Sequence, residues 1–178
     1  MNSVMQILDE AEIAYCLRIN KFGRRRWVRQ FFSCISKLGD GGIYAVLALL
    51  MLLIYGTSAY DEVAVMAVTA VTGIMIYSAL KKTLMRERPY ISNGHILPGT
   101  APLDRYSFPS GHTLHAVSFS VMLSHFAPFF VPFVLPFAAL VALSRIVLGL
   151  HYPSDVLAGV LMGFALGSAA ISVHASVF

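Results

Sequence analysis

The chain has 178 residues, of which 57% are hydrophobic and only 12% are charged, with a formal net charge of +4. Soluble domains carry about 25% charged residues, so this chain is too poor in charge to cover a water-exposed surface and too apolar to be disordered. No charged residue lies between Arg105 and Arg145 or after Asp155. The composition predicts an integral membrane protein of one domain, residues 1–178, and excludes a basic surface for nucleic acid.

Residues 1–40 differ from the rest because charged and aromatic residues are interleaved there. This segment favours one or two amphipathic helices at the membrane interface, and a solvated basic turn before the first span is the alternative interpretation. We expect no signal peptide, because Asp9, Glu10 and Glu12 replace the usual basic start.

Cys16 and Cys34 are too few for a metal motif and are expected to be free thiols.

Residues 41–178 form the predicted transmembrane catalytic bundle. A spanning helix needs about 20 mostly apolar residues, and five stretches qualify: 42–60, 63–80, 110–126, 129–150 and 153–173. Residues 89–108 form a polar loop. We therefore expect an all-α membrane bundle of about five spans plus the N-terminal interfacial segment. Pro132 and Pro136 predict a kink in the fourth span, and the spacing of Gly159, Gly163 and Gly167 predicts close helix packing in the fifth.

Polar residues gather where four of these spans end on one membrane face, if the helices alternate in direction. They are Lys81, Arg88, Arg105, His112, Arg145, His151 and Asp155. Arg145 lies in an apolar stretch, where an ionisable residue is costly and usually marks a functional site. Several converging cations predict a pocket for a multiply charged oxyanion, because the planar guanidinium matches phosphate geometry.

Two helix starts add the groups that phosphoryl transfer needs. Ser110 is a predicted N-cap, and Gly111 allows backbone N–H groups to approach phosphate oxygens, with His112 in the first turn facing the pocket. Asp155 follows His151 by four residues, so it can reach one imidazole nitrogen and leave the other free to attack. Two histidines with separate roles beside a cationic pocket predict a phosphohistidine mechanism.

Together these residues form three motifs in a fixed order. They are Lys81, six residues, Arg88-Pro89; then Pro109-Ser110-Gly111-His112; then Ser144-Arg145, five residues, His151, three residues and Asp155. Over residues 81–155 the pattern resembles the signature of the type 2 phosphatidate phosphatase superfamily. That superfamily also includes vanadium haloperoxidases and bacterial acid phosphatases.

The resemblance implies a role for each motif residue. His151 would be the nucleophile, Asp155 would orient it, and His112 would protonate the leaving oxygen and then activate water. Phosphate oxygens would be bound by Lys81, Arg88 and Arg145, assisted by Ser110 and the Gly111 N–H. Members of the family work without a metal, so we expect no metal and no other cofactor. The loops between the catalytic ends agree, since their only carboxylates are Glu87, Asp104 and Asp155.

Five predicted spans favour a lipid substrate over the soluble substrates of acid phosphatases and haloperoxidases. The sequence therefore predicts a membrane lipid-phosphate phosphatase whose partners are the bilayer and a phosphorylated lipid. Undecaprenyl diphosphate, phosphatidate, phosphatidylglycerophosphate and lipid A remain open as substrates. Transfer of the phosphoryl group to an acceptor lipid would use the same site. A transporter with Arg145 in its pathway is a further alternative, although no internal repeat is visible.

Two features of the sequence favour opposite sides of the membrane for the site. With five spans, the basic segment of residues 21–37 shares the face of the site, and the positive-inside rule favours the cytoplasm. The resemblance implies a bacterial inner-membrane enzyme whose site faces the periplasm or the outside. We expect the outer side and interpret the basic segment as an interfacial helix attracted to anionic headgroups.

Overall fold

The computed structural model describes residues 3–102 and 104–178, and these residues form helices and loops without a β-strand. The eight α-helices of the described ranges are α1 (Ser3–Gly23), α2 (Arg26–Leu38), α3 (Gly42–Tyr55), α4 (Tyr60–Leu84), α5 (Pro89–Ser92), α6 (Gly111–Phe126), α7 (Val131–Val147) and α8 (Pro153–Val177). The all-α class predicted from the sequence is confirmed.

Three helical stretches are long and apolar enough to cross a membrane: Gly42–Ser92, Pro128–Val147 and Pro153–Val177. The first contains both α3 and α4, which a short 3-10 turn at Gly56–Ala59 separates. A single helix of its 51 residues would measure about 76 Å, more than twice the hydrocarbon thickness of a bilayer. Helix α6 has only 16 residues, so the number of five spans remains a prediction.

The helix bounds differ from the predicted spans mainly around α4. This helix begins at Tyr60, so Asp61 and Glu62 lie in its first turn rather than in a connecting loop. Carboxylates there are favourable because the N-terminal end of a helix carries partial positive charge. Pro132 lies in the first turn of α7, where no helical hydrogen bond is lost, and Pro136 lies inside the helix. The kink predicted at these prolines remains a prediction.

Helices α6 and α8 form the centre of the bundle and run parallel. The three glycines of α8 face α6 in successive steps: Gly159 at Ser110 and Thr113, Gly163 at Leu114 and Val117, and Gly167 at Ser118 and Val121. The close packing predicted from their spacing is confirmed, and it holds the N-terminal ends of both helices side by side.

The N-terminal segment forms two helices, which excludes the solvated basic turn over residues 26–38. Helix α2 packs on α7 and buries Val28 and Phe32, while Trp27 and Phe31 are exposed. Helix α1 buries Cys16 and Asn20. Both cysteines are free, as predicted. The exposed aromatics fit a position at the membrane interface, which remains a prediction.

The α6–α8 packing generates a stability prediction. A Cβ at Gly163 would lie 2.4 Å from the carbonyl oxygen of Leu114, whereas one at Gly42 would meet nothing within 4 Å. Gly163→Ala should therefore force the helices apart and lower stability by about 1–3 kcal/mol, while the matched Gly42→Ala should be neutral. Thermal unfolding in detergent measures both. Equal melting temperatures for the two variants would contradict this account of the packing.

Candidate active site

The predicted site residues converge on one cavity of about 360 Å³. Six of the eight line it: Lys81, Arg88, Gly111, His112, Arg145 and His151. These six residues lie at the polar end of the cavity, which we call the chamber. Asp155 lies behind His151, fully buried. Ser110 is the N-cap of α6, as predicted, but its hydroxyl contacts Thr113 at 2.9 Å and is absent from the cavity wall.

His151 is placed by the turn between α7 and α8. The carbonyl of Arg145 accepts hydrogen bonds from the N–H groups of Leu150 and His151, at 3.0 and 3.1 Å. Gly149 has a φ of 69° in this turn, and a Cβ there would lie 2.5 Å from Ile96. A glycine is therefore required for both the backbone angle and the space. The turn holds His151 beside the helix end that carries Arg145.

The contacts of His151 define which ring nitrogen faces the chamber. Nε2 lies 3.2 Å from Nη1 of Arg88, and Nδ1 lies 3.5 Å from Oδ2 of Asp155. Arginine only donates hydrogen bonds, so Nε2 must be the unprotonated nitrogen and Nδ1 carries the proton. Burial, together with the positive charge of Arg88, holds the pKa of His151 well below its usual value. A neutral imidazole with an unprotonated Nε2 is the form that a nucleophile needs.

Asp155 is fixed by contacts to both of its oxygens. Oδ2 accepts from the Tyr152 N–H at 2.9 Å at the start of α8, and Oδ1 accepts from Arg86 at 2.6 Å. The N–H of Ser110 donates to the Asp155 carbonyl at 3.1 Å. These contacts connect the starts of α6 and α8 and direct the carboxylate toward the ring of His151.

Arg86 is a buried residue that the sequence analysis missed. Its guanidinium binds Asp155, Asp9 and Glu12 at 2.6–2.9 Å and lies over the ring of Tyr152. Glu12 also binds the N–H and hydroxyl of Ser154. Arg86 precedes Arg88 by two residues in a non-helical segment, a spacing that places alternate side chains on one side. This spacing in the sequence could have indicated that Arg86 lies at the site together with Arg88. In the structure Arg86 contacts Asp155 and Arg88 contacts His151.

Two carboxylates neutralise part of the positive charge in the chamber. Asp104 accepts from Nζ of Lys81 at 2.6 Å and from Nη2 of Arg88 at 2.8 Å. Burial would raise the pKa of Asp104, but the hydrogen bonds and charges of Lys81 and Arg88 outweigh it and hold the pKa below its usual value. Asp104 therefore stays ionised near neutral pH, and a phosphate bound by the same cations must compete with it.

Asp40, between α2 and α3, contacts Nε2 of His112. An ionised carboxylate only accepts hydrogen bonds, so this contact keeps the proton on Nε2. An anion in that position stabilises the imidazolium form of His112, whose other ring nitrogen can then protonate a leaving oxygen. Asp40 was also missed, because it precedes the first apolar stretch and belongs to no motif.

Arg145 contributes a buried cation whose Nε–H is free to donate. It is 3% exposed, donates to Ser36 Oγ, and its Nε has no hydrogen-bond partner among the described residues. Within the same ranges, no group of three His, Cys, Asp or Glu side chains is placed to hold a metal ion. Metal independence remains a prediction.

His115 lies close to the motif residue His112 but belongs to the apolar part of the site. His115 lines the apolar part of the cavity, where its Nε2 lies 3.1 Å from the carbonyl of Ala70 and its ring packs edge-on against Tyr77. It is one helical turn below His112 but contacts no charged residue. We assign it no chemical role.

Comparison with known sequences shows related lipid phosphatases. A lipid A 1-phosphatase from Rhizobium johnstonii is 29% identical over 99 residues, which are 53% of this chain and 41% of that protein. An undecaprenyl-diphosphatase from Sulfolobus acidocaldarius is 28% identical over 144 residues, 80% of this chain and 68% of that protein. This chain thus spans about two fifths of the length of the first relative and two thirds of the second.

Solved structures show the same fold. The crystal structure of Aquifex aeolicus LpxE matches with a TM-score of 0.79 at 24% identity, over 91% of this chain and 95% of that one. A PAP2 type phosphatidylglycerolphosphate phosphatase from Bacillus subtilis matches with a TM-score of 0.73 at 23% identity, over 98% and 94%.

The family itself is assigned from the sequence. The model of the PAP2 superfamily, the family whose signature the three motifs resemble, matches residues 62–177, which include all eight predicted site residues. Apolar helices long enough to span a bilayer accompany the match. This chain therefore belongs to the PAP2 superfamily, as an integral membrane protein.

Proposed function

We propose that the protein is a lipid-phosphate phosphatase that removes a terminal phosphate from a membrane lipid through a phosphohistidine. The observation that carries the proposal is the shape of the cavity that holds the site. From Lys81 its wall follows one face of α4 through Ala70 and Met66 to Val63, over about 27 Å at 1.5 Å per residue. That length is close to the hydrocarbon thickness of a bilayer.

The walls of this apolar groove suit a lipid chain. Beyond the chamber they consist mainly of apolar side chains of α3, α4 and α6, among them Ala48, Met66, Ile74 and Phe119. A phosphate bound by the cations at one end would leave its hydrocarbon chain in the groove. The relatives named above act on lipid phosphates, and this geometry supports the same substrate class for this chain.

The proposed reaction has two steps at His151 Nε2. In the first, Nε2 attacks phosphorus, the bond from phosphorus to the lipid oxygen breaks, and His112, as the imidazolium, gives that oxygen the proton of the ring nitrogen that does not contact Asp40. In the second, His112 takes a proton from water, the hydroxide attacks phosphorus, and the N–P bond breaks to release phosphate. Lys81, Arg88 and Arg145 would stabilise the charge on the phosphate oxygens in both transition states.

Phosphate release from a panel of purified lipid phosphates in detergent tests this function. His151→Ala should lower the rate by at least about a thousandfold, because no other group is placed to form the intermediate. Asp155→Asn should lose less, since its amide still meets the imidazole but without charge. Near wild-type release by His151→Ala would exclude the mechanism.

The same assay tests metal independence. EDTA should leave phosphate release unchanged, and vanadate should inhibit it competitively, because a trigonal-bipyramidal oxyanion mimics the transferring phosphoryl group. Loss of activity in EDTA with recovery in magnesium would show that the site works differently.

Arg86 generates a prediction about kcat and stability together. Arg86→Met leaves the buried Asp155 and the partly buried Asp9 and Glu12 without their cation, so it should destabilise the fold by about 3–5 kcal/mol and lower kcat about a hundredfold through misplacement of His151. Arg86→Lys should recover part of both losses. The control is Lys82→Met, which removes an exposed cation from the same region. Wild-type kcat in a folded Arg86→Met protein would contradict the role assigned to Arg86.

We also propose that the site faces the outside of a bacterial inner membrane, and Cys34 can report it. Cys34 is exposed on α2, where it lines a surface groove together with its neighbour Ser33. Cys16 is buried and should not react. A membrane-impermeant thiol reagent should therefore label Cys34 in intact cells, and Cys34→Ser should abolish the labelling. Reaction only after lysis would place the site in the cytoplasm.

A further inference from the structure

A second cavity joins the chamber on the side of α2. It has a volume of about 320 Å³ and shares Asp40, His112 and Arg145 with the chamber. Its remaining walls are Ser33, Ser36 and Lys37 of α2 and residues 99–101. Ser33, Lys37 and Gly99 also line an outer groove of about 700 Å³. A polar path therefore leads from the chamber to the surface of α2, distinct from the apolar groove between α3 and α4.

The walls of this path, which we call the polar path, carry an excess of positive charge. Arg26, Arg29 and Lys37 line the outer groove, and Arg145 lines the inner cavity. The one carboxylate among the described wall residues is Asp40, which contacts His112. None of the three outer cations forms an ion pair with a described residue. Uncompensated cations of this kind favour an anionic ligand with phosphate-like oxygens.

Side-chain contacts hold the walls of the polar path in place. Arg29 donates to the carbonyl of Pro98 at 2.9 Å, and Ser33 donates to the carbonyl of Gly99 at 3.3 Å. Asn20 of α1 binds both the N–H and the carbonyl of Leu97, each at 2.9 Å. The loop is thus tied to α1 and α2. A site whose walls are already ordered binds its ligand at a lower entropic cost.

We propose that the polar path is a second anion-binding subsite, which receives a phosphate on the headgroup of the same lipid whose terminal phosphate lies in the chamber. The inference rests on the proposed function, because it treats the chamber as the site of the scissile phosphate. His112 lies where the chamber, the apolar groove and the polar path meet. The leaving oxygen therefore lies where a branched lipid can send its chains into the apolar groove and its headgroup into the polar path.

The volumes of the polar path favour a headgroup of sugar size. Both cavities fall in the range of roughly 300–1,000 Å³ that accommodates small-molecule ligands. A linear prenyl phosphate has no second branch and would leave the cations of α2 without a ligand. The geometry thus favours a glycolipid or phospholipid that carries a second phosphate away from its chains.

The test measures binding without turnover, so it does not depend on catalysis. In the His151→Ala protein, the Kd is measured for lipid A with a phosphate at each end of its disaccharide and for lipid A with only one. The bisphosphorylated lipid should bind at least about tenfold more tightly. Arg26→Gln with Lys37→Gln, both exposed positions, should remove this preference and change the Kd of the monophosphorylated lipid less than about twofold.

The matched control is Arg25→Gln with Lys82→Gln, which removes two exposed cations that line neither cavity. It should keep the preference. Equal weakening for both lipids, or the same loss in the control, would show general attraction of anions and overturn the proposal. Loss of the preference for the bisphosphorylated lipid in excess phosphatidylglycerol would also overturn the proposal, since the polar path would then bind bulk anionic lipid. Failure of the wild type to release phosphate, with the binding preference intact, would contradict only the proposed function.

Discussion

The ion pair between Arg86 and Asp155 is the contact on which the arrangement of the site depends. Both side chains are fully buried, and a buried charge without its partner is strongly destabilising. Asp155 lies in the first turn of α8 and directs its carboxylate at His151, while Arg86 lies in the segment after α4 and binds Asp9 and Glu12 of α1. One guanidinium thus connects the N-terminal helix, the transmembrane bundle and the predicted nucleophile. Helix α1 therefore supports the site, in addition to its predicted position at the membrane interface.

A second constraint is the repulsion among Lys81, Arg88 and Arg145, which line one small chamber. Asp104 offsets it by binding Lys81 and Arg88, and Asp40 offsets it at His112. Because both carboxylates are partly exposed, a phosphate with more charge and more acceptor oxygens can replace them. In the proposed mechanism, binding of substrate exchanges one set of anions for another, which limits how tightly the chamber holds its phosphate product.

The sequence predicted those parts of the site that lie at helix ends in fixed motifs. Ser110, His112 and Asp155 were placed by capping and helical spacing, and both rules are local. Arg86, Asp40 and Asp9 could not be placed in this way, because their roles arise from contacts between elements distant in the chain. The bounds of α4 were also missed: an apolar window ended at Leu80, although the helix continues to Leu84 and carries Lys81 on its last turns into the chamber.

Two cavities meet at the chamber, and residues inside and outside the motifs contribute differently to them. In the proposed mechanism the motifs fix the phosphate position from α4, α6, α7 and α8, and two of these helices, α4 and α6, also form part of the apolar groove. The outer groove of the polar path is built by α2 and Gly99, which lie outside the motifs. If the motifs determine the chemistry, the residues outside them are free to determine which headgroup reaches it. Substrate choice in this chain is therefore to be sought in Arg26, Lys37 and Gly99 rather than among the residues that handle phosphate.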